Sequence, residues 1–186
     1  MIITTERLIL REFTEDDWEA VLSYQRNPLY LRYYHWTDRM AEEVRDFIGM
    51  FLANQKIIPR TKFQLATTLK ATDQLIGNCG IRMQSIDAQQ ADIGYELDPN
   101  YWGQGYATEA ARALVDYGFS HLGVHRIWAS CVADNLASAH VLEKLGMRLE
   151  GRLRENEYYK GRWWDPLVYA ILDYEWRAQG NDRAGT

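Results

Sequence analysis

Ile93-Gly94-Tyr95-Glu96-Leu97-Asp98-Pro99-Asn100-Tyr101-Trp102-Gly103-Gln104-Gly105-Tyr106-Ala107-Thr108-Glu109-Ala110 is the stretch on which the fold turns. Its opening reads as a strand, Pro99 marks a tight turn, small residues make a loop, and a helix begins after Gly105. Gly103, Gly105 and Ala107 leave the loop's backbone N–H groups uncovered, so a bulky anion can come close. The positive end of the following helix lies at the same place, which suits a pyrophosphate. A tight turn that simply needs glycine would look alike, and the loop alone leaves both readings open. Two other phosphate loops are excluded. There is no Gly-Lys-Ser/Thr triplet for a Walker loop. A dinucleotide fingerprint needs a small residue three after Gly105, where Thr108 stands, and it lies near the start of a βαβ unit rather than past mid-chain.

The second informative stretch is Asn135-Leu136-Ala137-Ser138-Ala139-His140-Val141-Leu142-Glu143-Lys144-Leu145-Gly146-Met147. Together the two segments closely resemble the GNAT superfamily of acetyl-CoA-dependent N-acetyltransferases. There a Gln/Arg-x-x-Gly-x-Gly/Ala loop binds pyrophosphate and an Asn-x-x-Ser/Ala helix follows the next strand. The phrases running from Tyr101 to Ala110 and from Glu143 to Met147 are similar to those of the RimJ and RimL branch, the ribosomal-protein N-terminal acetyltransferases. So is the opening Thr5-Glu6-Arg7-Leu8-Ile9-Leu10-Arg11. The resemblance spans residues 5 to 176. It implies an α/β fold with a mixed, mostly antiparallel seven-stranded sheet flanked by about four helices. It also implies acetyl-CoA as co-substrate, no metal, and direct attack by an amine acceptor in a ternary complex. That acceptor is a protein N-terminus or a small molecule such as a polyamine, antibiotic or amino acid. A non-catalytic acyl-CoA-binding module is the remaining alternative. Coenzyme contacts carry over onto Leu97, Trp102, Gly103, Gln104, Gly105, Tyr106, Ala107, Thr108, Asn135, Ser138 and Lys144. Trp102 departs from the Gln or Arg usual at its position. The departure keeps the loop's N–H donors and removes a side-chain contact to the phosphates.

At 186 residues the chain suits one domain, expected over residues 1–180 with a frayed tail at 181–186. No apolar run reaches membrane-span length, and no apolar core precedes a small-residue cleavage site. We therefore expect a cytoplasmic protein, monomeric or homodimeric, that neither enters a membrane nor carries a signal peptide. Cys79 and Cys131 lack metal-type spacing and read as buried reduced thiols. The net charge of −5 argues against broad nucleic-acid binding. A polyanionic coenzyme must then be held by local donors, and the acidic surface favours a cationic amine.

Periodicity gives the element order β-α-α-β-β-β-α-β-α-β-β. Strands are expected at Arg7 to Phe13, Phe63 to Leu69, Leu75 to Met83, Ala91 to Leu97 and Arg126 to Val132, with a final hairpin of Met147 to Tyr158 and Arg162 to Leu172 turning near Lys160-Gly161. Helices are expected after Thr14, over Asp38 to Lys56, over Tyr106 to His121 and over Leu136 to Leu145. The aromatic joint from Tyr30 to Trp36 either packs two helices or lines an acceptor cleft.

Acyl transfer from a thioester needs positioning, worth up to roughly 7–11 kcal/mol, and two proton steps. An N-terminal amine with a pKa of about 8 is about one-tenth neutral at pH 7, against about one in 2,500 for a lysine. Ser138 sits on the apolar stripe with Val141, Leu142 and Leu145, either bonded to backbone or serving as proton donor to the thiolate. The resemblance implies the second role. Asn135 reads as a helix N-cap, and the resemblance adds a contact to the pantetheine arm. Three carboxylates compete as general base. Asp92 and Glu96 are four apart on one strand and share a face; Glu157 precedes the hairpin turn and matches the glutamate of RimL-like enzymes. His35, His121, His125 and His140 show no metal-type pairing and read as surface or packing residues. Of the adjacent Trp163 and Trp164, only one can face a cleft.

Overall fold

In the computed structural model, which describes the backbone of residues 1–184 and the side chains of residues 1–180, the chain opens with β1 (Ile2–Thr4) and β2 (Leu8–Glu12). Leu8 and Leu10 are fully buried on one face of β2, as alternation requires. Thr14 begins a 3-10 turn over Glu15–Asp17, closed by the reciprocal Thr14–Asp17 contacts of a capping box, and α1 (Trp18–Gln25) follows. Then come α2 (Pro28–Leu31), capped by Asn27, and α3 (Ala41–Gln55). Three antiparallel strands follow: β3 (Lys62–Leu69), β4 (Leu75–Met83) and β5 (Gln90–Leu97). After these, α4 (Tyr106–Ser120), β6 (Arg126–Val132), α5 (Leu136–Lys144) and β7 (Arg148–Arg152) lead to β8 (Glu157–Tyr159), β9 (Arg162–Trp164), β10 (Pro166–Leu172) and α6 (Asp173–Ala184).

The main sheet has the order β1-β2-β3-β4-β5-β6-β10-β7 and is antiparallel except where β5 runs parallel to β6. One face packs Leu65, Ile81, Ile93 and Ile127 against Leu114 and Val115 of α4. The other packs Ala66 and Leu75 against Val21, Val44, Ile48 and Phe51 of α1 and α3. Removing such a fully buried leucine or isoleucine side chain costs about 2–5 kcal/mol, so these two layers hold the sheet rigid.

The mixed α/β fold is as expected, but its inventory is larger. Among the described residues the sheet has eight strands rather than seven, β8 and β9 form a separate two-stranded hairpin, and there are six α-helices rather than about four. β1 and α2 are too short to show a period. α6 is fixed to the domain by the Arg148–Glu175 ion pair and by Trp176, which packs on the core beside Phe119, while Arg177–Asp173 is an ion pair within the helix itself. The expected final hairpin is split in two. Asp165 accepts the Glu155 N–H at 2.7 Å and the Arg152 guanidinium, and Pro166 has no N–H to continue a ladder. β7 therefore pairs with β10 inside the sheet, while β8–β9 turns at Lys160 and Gly161, both at positive φ. The frayed end expected at 181–186 lies outside the residues whose side chains are described, although the backbone of α6 continues to Ala184. Among the described residues, no helix is long and apolar enough to cross a membrane.

One irregularity positions everything that follows. β5 and β6 pair only where Gln90–Asp92 meets Arg126–Trp128, yet β5 continues to Leu97 and β6 to Val132. Past Asp92 the sheet is open between them.

Candidate active site

The gap between β5 and β6 is a cleft of about 580 Å³ that reaches both faces of the sheet. Tyr95 and Leu97 line it from one face of β5, Glu96 from the other, and Cys131 from β6.

On the α4 side the wall is backbone. Gly103 and Gly105 adopt φ of 74° and 83°, which bulky side chains avoid, and so turn the loop into α4. Among the described residues, no backbone carbonyl accepts from the N–H groups of Gly103 to Thr108. Trp102 explains its own departure from the family pattern: its indole N–H donates to the Leu97 carbonyl at 2.8 Å, tying the loop to the end of β5. A further anchor comes from the chain's beginning. Glu109, in the first turn of α4, accepts from the Thr5 hydroxyl at 2.6 Å, the Arg7 N–H at 2.8 Å and the Arg7 guanidinium at 2.7 Å. The same guanidinium donates to the Gln104 carbonyl at 3.0 Å and lies over the Tyr106 ring. Burial pushes the Glu109 carboxyl up, but Thr5 and Arg7 outweigh it and hold it below its ordinary value.

At the cleft's centre Asn135 caps α5 by accepting the Ser138 N–H at 3.2 Å. The Tyr95 hydroxyl lies 3.0 Å from both the Ser138 carbonyl and its Oγ. Burial pushes the neighbouring Cys131 thiol up, with a hydrogen bond from Ser138 opposing that rise. Both cysteines are free and buried, and burial raises Cys79 to about 12.

On the α1 side the wall is made of side chains. Glu96 accepts from Tyr24 at 2.6 Å, Gln25 at 2.9 Å, Tyr30 at 2.5 Å and Tyr34 at 3.4 Å, and also from Asn78. A carboxylate offers about four lone-pair sites, so Glu96 is saturated. Burial first, then the Glu96 charge, pushes all three phenols well above the usual tyrosine range. Glu157 is the opposite case: it lines the cleft, and its side chain accepts no hydrogen bond and forms no ion pair with any described residue. The β8–β9 hairpin that carries it is pinned across the opening, Lys160 Nζ to the Leu31 carbonyl at 2.6 Å and Tyr159 Oη to the Tyr33 carbonyl at 3.0 Å.

The structure thus brings Ser138, Glu96, Glu157, Asn135, Lys144, Leu97 and the loop residues Trp102, Gly103 and Gly105 to Thr108 around one cleft. Two expected residues stand elsewhere. Asp92 lies where β5 and β6 still pair, and it is ion-paired with Arg82, whose guanidinium fills the space above Gly94. Gln104 turns away from the cleft: its side chain points back to the Asn100 carbonyl and its own carbonyl is taken by Arg7. The joint residues Tyr30, Tyr33, Tyr34 and His35 do line the cleft, and so does His140, which is exposed there in keeping with the surface or packing roles expected for the histidines. Trp164 is buried and stacked on Tyr159, while Trp163 faces outward with Tyr158. Sequence reasoning missed Arg7 and Glu109 as loop anchors and Tyr95 as the partner of Ser138. The Thr5-Glu6-Arg7 phrase was visible, but not its contact about a hundred residues away.

Residues 7–148 match the GNAT acetyltransferase domain family. The chain is 36% identical over 176 residues to the uncharacterized N-acetyltransferase YnaD of Bacillus subtilis, covering 95% of this chain and 99% of that one. Among solved structures, a GNAT-family acetyltransferase from Bacillus anthracis superposes with a TM-score of 0.82 at 33% identity, covering 94% and 99% of the two chains. RimL, the ribosomal L7/L12 alpha-N-protein acetyltransferase solved with coenzyme A, superposes at 0.81 with 25% identity, covering 93% and 99%. The chain belongs to the GNAT acetyltransferase family. It is an acetyl-CoA-dependent N-acetyltransferase.

Proposed function

We propose that this protein transfers the acetyl group of acetyl-CoA to a protein N-terminal α-amine, by direct attack in a ternary complex. The observation that carries this reading is the cleft through the sheet, with an unpartnered carboxylate on one side and a hydroxyl on the other. The likeness to RimL over nearly the whole chain supports the choice of acceptor.

The loop fits a pyrophosphate: six adjacent N–H groups are without a backbone acceptor, a Cβ on Gly103 would stand in open space, and α4 adds its positive end. Asn135, Leu97 and Lys144 line the route beyond it. The thioester supplies the activated acyl group. Glu157 takes a proton from the acceptor ammonium, and the free amine attacks the carbonyl. Ser138 Oγ–H donates to the sulfur as the C–S bond breaks. The nitrogen gives up two protons in all, one to Glu157 and then water, the other balancing the one given to sulfur. Glu96, with every lone pair already engaged, holds the acceptor wall instead of acting as base. The aromatic walls and the two glutamates suit a cationic amine. An α-amine needs about three kcal/mol less help to lose its proton than a lysine, within reach of one carboxylate.

The test is thiol release from acetyl-CoA with N-terminal peptides, lysine-bearing peptides and polyamines as acceptors. The expected result is the highest kcat/KM on N-terminal peptides, with Ser138→Ala lowering kcat by about 10- to 1,000-fold at nearly unchanged affinity for acetyl-CoA. Faster turnover of a polyamine would move the acceptor to the small-molecule class. Tight coenzyme binding with no turnover on any acceptor would leave a binding module.

A further inference from the structure

We propose that Tyr95 is the positioning residue of the reaction, turning the Ser138 hydroxyl toward the thioester sulfur and sharing the charge that develops there. The inference rests on the acetyltransferase reading above and adds a residue whose role is to set the donor, not to touch the reacting atoms.

The geometry is a choice between two acceptors. The Tyr95 hydroxyl stands 3.0 Å from the Ser138 carbonyl and 3.0 Å from Ser138 Oγ, and it has one proton to give. When that proton goes to the carbonyl, Ser138 Oγ–H is drawn onto the phenol oxygen and away from the cleft. When it goes to Oγ, the serine's own proton is released to point into the cleft. The switch leaves no buried group unpaired, because a carbonyl at this position in α5 also accepts the N–H four residues on. Negative charge appearing on the sulfur favours the second arrangement, in which two hydroxyls in series spread it.

The surroundings keep Tyr95 in the donor form. Its ring is packed against the core from β5, with Cys79 of β4, Cys131 of β6, Tyr169 of β10 and Tyr34 of the joint after α2 among its titratable neighbours. Burial holds its phenol protonated far above neutral pH, with the Ser138 bond opposing only in part. Tyr95 therefore keeps its own proton throughout: Ser138 supplies the proton to the sulfur, and Tyr95 only orients and polarises it. Without the phenol, a serine in the first turn of a helix falls back on its own backbone as partner.

The experiment is a double-mutant cycle in the intact protein, with Tyr95→Phe, Ser138→Ala and the pair. We expect Tyr95→Phe to lower kcat about tenfold with KM for acetyl-CoA within about twofold, the size of one lost hydrogen bond. In the Ser138→Ala background the same change should cost nothing, since the group it positions is gone. A cost that persists in that background, or a change in KM with kcat unmoved, would overturn the proposal. Should Tyr95→Phe bind coenzyme poorly, Tyr95→His restores a donor: recovery of kcat would support the role, and no recovery would overturn it. A wild type that transfers no acetyl group to any acceptor would defeat the proposed function, and this inference with it. An active wild type beside an unaffected Tyr95→Phe would defeat this inference alone.

Discussion

The loop half of the cleft is backbone drawn from one stretch, Leu97 to Thr108, whereas the aromatic half is side chains drawn from α1, α2, the joint after it, β4, β5 and the β8–β9 hairpin. The first half presents N–H groups whose direction is set by two glycines at positive φ and a helix start. The second is gathered onto a single carboxylate, Glu96, which five donors from four segments share. A phosphate can be met by backbone that any short local motif supplies. An acceptor amine is met by groups that are distant in sequence, and one half-buried carboxylate must hold them in register. The two halves should therefore fail differently when damaged.

The sharpest test of the difference compares the two glutamates. Glu157→Gln should lower kcat/KM by about 100-fold or more, with the loss growing as pH falls and the amine becomes protonated. Glu96→Gln should keep the acidic limb of the pH–rate profile while raising the acceptor KM about tenfold. It should also destabilise the fold by about 1–3 kcal/mol in thermal melts, because an amide cannot accept from all five donors. If Glu96→Gln removes the limb and Glu157→Gln keeps it, the roles assigned to the two residues are exchanged.

Damage to the loop half should show in coenzyme binding alone. Gly105→Val places a branched side chain at φ of 83° among the loop N–H groups, and calorimetry should find acetyl-CoA bound about 100-fold more weakly, some 2.7 kcal/mol. Wild-type affinity in that variant would remove the loop as the anion site. Arg7→Gln should weaken coenzyme about tenfold by releasing Glu109, the Gln104 carbonyl and Tyr106, and leave acceptor KM unchanged. A pH effect accompanies it. Glu109 is held below its ordinary 4.5, so its contribution is present above that value and is lost as pH falls through the lower folded-state value. Without Arg7, burial pushes Glu109 back up, and the acid limit of coenzyme binding should move to higher pH. The smallest effect belongs to Asp92→Asn. It lies where β5 and β6 remain paired, and kcat/KM should stay within about twofold of wild type. A hundredfold loss there would place the base on the wrong strand position.

The sequence by itself determined the elements that repeat a local rule. β4 and β6 have the expected bounds because alternation needs only neighbours, and α4 and α5 begin where the loop glycines and Asn135 stand. The loop was legible for the same reason: its donors, its glycines and its helix start are contiguous. Only the tertiary structure decided which of three carboxylates faces the cleft unpaired. Asp92 and Glu96 have the same spacing from their strand and share a face, yet one is ion-paired to Arg82 and the other is saturated by residues as much as 72 positions away. Arg7 on Glu109 and Tyr95 on Ser138 belong to the same class, as partners separated by 102 and 43 residues. Periodicity fixes which way a side chain points along its own element. Whether it finds a partner depends on where β5 and β6 separate and on what α2 and the β8–β9 hairpin bring across the gap, and no local pattern encodes that.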